Sequence, residues 1–128
     1  QVDSKKRGNI KSFCCFHSNA RDFSRLGKLY LNYGNWNGNQ IIDSTFVKSS
    51  MKPFLDNFDG YGIGLWLKKH KDLNISLMSG HQGQYVIMIP EKELIITRLG
   101  ERDIDLGGPG VSGDVLSYID EALKLIED

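Results

Sequence analysis

The chain has 128 residues, 40% of them hydrophobic, and its sixteen basic side chains balance sixteen acidic ones. That is enough apolar material for one compact domain burying roughly two-thirds of its unfolded surface, and too much for a disordered chain. Cancelling charges leave no global field to draw in nucleic acid or an anionic membrane, no run approaches the ~18 to 20 apolar residues of a membrane span, and the N-terminus lacks the apolar core of a secretory signal.

Along the chain, Lys5, Lys6, Arg7 and Lys11 read as a solvated arm rather than a binding patch. Cys14 and Cys15 are neighbours, and a bond between neighbours is strained, so both read as reduced thiols packed in an extended segment over 13–16. His17, His70 and His81 share no ligand spacing with each other or with the cysteines, which predicts no metal, and no cofactor is predicted. A helix then starts from Ser18 or Asn19 as N-cap, with Asp22 in its first turn, and runs to Tyr33 before Gly34 stops it. Phe23, Leu26, Leu29, Tyr30 and Tyr33 recur at three- and four-residue spacing and form one core-facing stripe. Gly27 lies on or beside it, either tolerated at a cost of about 1 kcal/mol or marking close approach to a neighbouring element.

Trp36-Asn37-Gly38-Asn39 has asparagine–glycine turn chemistry and precedes a short strand over 40–42, a helix over 44–50 capped by Asp43, and a loop over 51–59. Strands follow over 61–68 and 74–79 around the charged turn 69–72, then over 85–89 and 94–99 around the polar connection 90–93. After a glycine-rich linker over 106–110, Ser112 or Asp114 caps a last helix to Ile126. Its buried face is Val115, Leu116, Ile119, Ala122, Leu123 and Ile126. The expected class is α+β: an antiparallel sheet of about four strands with flanking helices and a C-terminal helix packed on the sheet.

The block Gly80-His81-Gln82-Gly83-Gln84-Tyr85, a strand, Ile89-Pro90-Glu91-Lys92 and a second strand ending in Arg98-Leu99-Gly100 resembles the C-terminal part of the serine β-lactamase and penicillin-binding-protein superfamily. The likeness is greatest to its class C-like, esterase and aminohexanoate-oligomer-hydrolase-like branch. Ala20-Arg21-Asp22-Phe23-Ser24-Arg25-Leu26-Gly27 resembles a helix of the same branch, and Tyr61-Gly62-Ile63-Gly64-Leu65-Trp66 the strand before the histidine motif. The likeness spans about 12–100. It implies a β-lactamase/transpeptidase-like but incomplete fold, with residues 1–128 forming the C-terminal portion of the domain and the Ser-x-x-Lys helix lying upstream. Two further strands of the complete fold would then be lacking, leaving the strand over 74–79 as an open edge, a route to self-association.

Three internal matches to the family's catalytic elements fail on context. Ser49-Ser50-Met51-Lys52 ends a short helix running into Pro53, which pushes Lys52 out of helical conformation. Tyr30 and Asn32 lie two apart on one helix and face different ways, and Tyr33 and Asn35 straddle the helix stop.

The resemblance implies ester or amide hydrolysis through an acyl-enzyme, with this chain supplying an oxyanion wall near His81, Gln82 and Gly83 as catalytic residues. His81 stands where many relatives carry the lysine of Lys-Thr-Gly, which favours an esterase or amidase over an antibiotic-degrading enzyme; the alternative is a turn histidine with a structural hydrogen bond. Gly80, Gln84, Tyr61 and Trp66 are the implied substrate-binding residues, although strand aromatics are also ordinary core. The implied partners are a small-molecule ester or amide and the upstream part of the same domain. A periplasmic or cell-envelope location is suggested by the family alone. Two other readings stand beside this one: a non-catalytic binding or sensor module of the same fold, and a small stand-alone α+β protein.

Overall fold

The computed structural model describes Gly8, Asn9 and residues 16–101 and 111–127. The expectations for the basic arm, for Cys14 and Cys15 and for the linker over 106–110 lie outside the described residues.

Asn19 caps α1 (Ala20–Leu31), its side chain accepting the Asp22 N–H at 3.0 Å. The Gly34 N–H donates to the Leu29 carbonyl at 2.8 Å and the Tyr33 N–H to the Tyr30 carbonyl at 2.9 Å, a pattern that closes a helix C-terminus. Tyr33 takes the left-handed position of that closure (φ 50°), so α1 stops at Leu31, short of the predicted Tyr33. Asn37 and Gly38, both at positive φ (50° and 87°), then form a two-residue turn between β1 (Asn35–Trp36) and β2 (Asn39–Gln40). Left-handed backbone at both positions matches the twist of a tight hairpin, and it places the strand earlier than the predicted 40–42. Asp43 caps α2 (Ser44–Ser50), accepting the Phe46 N–H at 2.9 Å.

The strand predicted over 61–68 starts late. A Cβ on Gly62 would lie 1.9 Å from the Ser50 carbonyl oxygen, so the backbone packs directly on the end of α2 there. The Gly62 N–H donates back to the Leu65 carbonyl at 2.8 Å in a turn, Tyr61 makes only an isolated bridge to Trp66, and β3 is Trp66–His70. Lys71 and Asp72, at φ 48° and 64°, turn the chain into β4 (Leu73–Gly80). A single 3₁₀ turn, His81–Gly83, leads to β5 (Gln84–Ile89), and a second, Pro90–Lys92, to β6 (Leu94–Arg98). The four strands form one antiparallel sheet in the order β3-β4-β5-β6.

This register corrects the expected open edge. β4 lies inside the sheet, paired on both sides, and the margins are β3 and β6. Consecutive hairpins force this order, because each strand folds back on the one before it.

Alternation along the strands divides the core between the two faces. Ile75, Leu77, Tyr85, Ile87 and Ile89 pack with Val115, Ile119 and Leu123 of α3 (Gly113–Glu127). Val86 and Ile95 point at α1, where a Cβ on Gly27 would come within 3.0 Å of a methyl of each. Gly27 therefore marks close helix–sheet approach. The predicted α3 face is correct at Val115, Ile119 and Leu123 but not at Ile126, which is exposed. Across the sheet from β6, His70 Nε2 and Lys71 Nζ meet Asp120 of α3 at 2.7 and 2.9 Å. The result is a mixed α+β fold with helices flanking a four-stranded antiparallel sheet and the C-terminal helix packed upon it.

Candidate functional site

Gly80 and Gln84 are register partners, and the residues between them form the 3₁₀ turn. Gln82 adopts a left-handed conformation (φ 57°, ψ 29°) and Gly83 a φ of 81°. Only glycine takes the latter freely, which explains the residue there. His81 and Gln82 are exposed and Gly83 is buried. The His81 side chain makes no hydrogen bond or ion pair among the described residues, so the structural-hydrogen-bond reading of this histidine does not hold.

Arg98, at the end of β6, determines how the turn is held. Its Nη1 donates to the carbonyls of Gly83 at 2.7 Å and Gly100 at 3.0 Å, its Nη2 to that of Glu101 at 3.1 Å, and its Nε to the Tyr118 hydroxyl at 3.0 Å. Gln84 completes the clamp: Nε2 donates to the Gly100 carbonyl at 2.5 Å, and Oε1 accepts the Gly100 N–H at 3.1 Å. One guanidinium thus ties the histidine turn, the end of β6 and α3 together. Charge-assisted hydrogen bonds are about twice as strong as neutral ones, so the turn is held rigidly. Sequence reasoning missed this role for Arg98. The available signal was a lone charge closing the apolar run Leu94-Ile95-Ile96-Thr97.

A 3₁₀ turn bonds each N–H to the carbonyl three residues earlier, which occupies the amide of Gly83 and leaves those of His81 and Gln82 outside the pattern. Beside them, β4 outruns its neighbour. Pairing with β3 ends at Trp66–Leu77, while pairing with β5 continues to Gly80, so Met78, Ser79 and Gly80 have no strand on their β3 side among the described residues. The outcome is a short strand edge, unpaired on one side among the described residues, leading to two adjacent N–H groups outside the 3₁₀ bonding at a rigid turn. That geometry accepts an extended ligand backbone or a carbonyl oxygen.

The two aromatic residues predicted for substrate binding form a unit of their own. Tyr61 and Trp66 meet edge to face with ring centroids 4.8 Å apart. Trp66 lies opposite Leu77, three positions before Gly80, or roughly 10 Å at the rise of an extended strand. Gly80, His81, Gln82, Gly83 and Gln84 thus form one cluster, and Tyr61 and Trp66 sit at the near end of the adjoining strand. The rejected serine–lysine match is also resolved. Its serine, Ser49, is exposed in the last turn of α2, and Lys52 follows the C-cap Met51, outside the helix. No group of metal-binding side chains occurs among the described residues, and no helix among them is long and apolar enough to cross a membrane.

No protein-family model and no curated protein matches the chain.

Proposed function

We propose that this chain is the part of a β-lactamase-fold serine hydrolase that lines one wall of the acyl-transfer site. Ester or amide substrate lies along Met78–Gly80 and its carbonyl oxygen meets the amides of His81 and Gln82. The observation that carries the reading is the end of β4, unpaired on its β3 side among the described residues, running into those two amides. In acyl transfer the carbonyl oxygen gains charge as the nucleophile attacks, and preorganised N–H donors at that point are worth about 10²–10³ in turnover each. His81, exposed and unpaired, is free to orient the acyl group or exchange a proton with it. The nucleophilic serine and its base come from a part of the domain outside this chain. The margin of β6, unpaired among the described residues, is where that part adds strands, with α1 and α3 already covering the two faces beside it.

The test is activity-based labelling of the complete polypeptide that carries these residues. A fluorophosphonate probe should acylate one serine outside residues 1–128 of the present numbering, with concurrent hydrolysis of a small aryl ester. Labelling confined to a serine within these residues, or none at all, would defeat the proposal. Reversible ester binding without covalent labelling would instead identify a non-catalytic binding module. That second reading draws support from Ser49 and Lys52, since the serine–lysine match in this chain has its serine exposed in the last turn of a short helix and its lysine beyond the helix end.

A further inference from the structure

Two observations away from the histidine turn converge on the outer side of β3. A cavity of about 490 Å³ opens along this strand from Trp66 toward Lys69, the direction leading away from His81. Its apolar wall includes Met51, Phe58, Trp66, Ile75 and Val111. Small-molecule sites usually enclose roughly 300–1,000 Å³ behind walls of this kind. Independently, the loop between α2 and β3 leaves Phe54, Leu55 and Phe58 exposed by 65%, 52% and 46%. Large apolar side chains grouped so closely on a surface mark a place where something apolar binds.

The charges on the cavity narrow the ligand. Lys68 and Lys69 both line it, and neither ammonium has a hydrogen-bond or ion-pair partner among the described residues. Lys68 shares a strand face with Trp66 and Ile75, so one cation stands directly beside the apolar wall. Asp59 is the only carboxylate on the described lining, leaving a single net positive charge. A monoanion neutralises that charge, whereas a phosphate dianion over-compensates it.

We propose that this cavity binds an amphipathic monocarboxylate, with its hydrocarbon body against Trp66 and Phe58 and its carboxylate against Lys68 or Lys69. A compact ammonium acts there as a point charge, and it neither requires nor selects the planar geometry that an arginine fork would impose. Such binding is separate from acyl transfer, so failure of serine labelling leaves it standing.

Fluorescence titration tests the proposal. The chain has two tryptophans, so Trp36→Phe leaves Trp66 as the sole indole reporter. Decanoate below its micellar concentration should give a saturable change and bind at least about tenfold more tightly than decanol, a difference set by the charge alone. Lys68→Gln combined with Lys69→Gln should erase that preference while leaving the far-ultraviolet circular dichroism and thermal transition unchanged, because both side chains are exposed. Equal affinity for acid and alcohol, no saturation with either, or a preference surviving the double substitution would overturn the proposal. So would binding to phosphatidylglycerol vesicles without saturable binding of free decanoate, which would make the aromatic loop a membrane contact.

Discussion

Along β3 the margin of the sheet is covered: the Leu67 N–H donates to the Gly60 carbonyl at 2.8 Å, Tyr61 bridges to Trp66, and Lys68 and Lys69 stand on the strand. Along β6 the margin reads Leu94-Ile95-Ile96-Thr97 without a charge until Arg98, and nothing beyond β5 bonds its backbone among the described residues. Lysines and a covering loop are how proteins blunt a sheet edge, and an apolar unpaired strand is a template for another one. Among the described residues, one sheet therefore carries a covered side and an uncovered side. The covered side is made by the loop that follows α2, and the uncovered side is flanked by α1 and α3.

Four measurements break or sharpen that contrast. The largest effect is expected from Gly62→Ala, whose methyl would overlap the Ser50 carbonyl 1.9 Å away and push the covering loop off β3. Overpacking against backbone should cost about 3 kcal/mol in chemical denaturation, and an unchanged midpoint would show that the contact is loose. Next, native-state hydrogen exchange should find the Leu67 amide protected while the outward amides of β6 exchange about a hundredfold faster, since their opening needs no strand separation. Comparable protection on both margins would mean that β6 has a partner in solution.

Third, Arg98→Ala removes donors to the carbonyls of Gly83, Gly100 and Glu101 and should lower stability by about 2 kcal/mol. Increased exchange should appear at the Gly83 amide, which the 3₁₀ turn holds, and a turn that stays ordered would deny Arg98 its clamping role. The smallest effect belongs to the contact between β3 and α3. The hydrogen bond from His70, followed by that from Lys71, holds the Asp120 carboxyl below its ordinary value of 3.8. A carboxyl depressed in the folded state contributes stability above its unfolded pKa and loses it as pH falls through the folded one. Asp120→Asn should therefore weaken the protein slightly at neutral pH and flatten the acid limb of its stability below about pH 4. An acid limb identical to the parent's would remove Asp120 from the account.

The hairpin between β3 and β4, the hairpin between β5 and β6, the cap at Asn19, the cap at Asp43 and the α3 face at Val115, Ile119 and Leu123 were legible in the sequence. Each follows from chemistry within a few residues: a side-chain acceptor for orphan amides, a turn needing positive φ, or apolar spacing of three and four. The place of the His81 turn was legible for the same reason, being a local turn between two readable strands. The late start of β3 was not, because Gly62 is displaced from the strand by the Ser50 carbonyl on another element. Nor was Arg98, whose partners Gly83 and Tyr118 lie fifteen and twenty residues away. Local propensity fixed which segments become helix and strand. Which edge stays open, which cation clamps the turn and where a cavity forms depend on distances between elements, and only the packed sheet decides those.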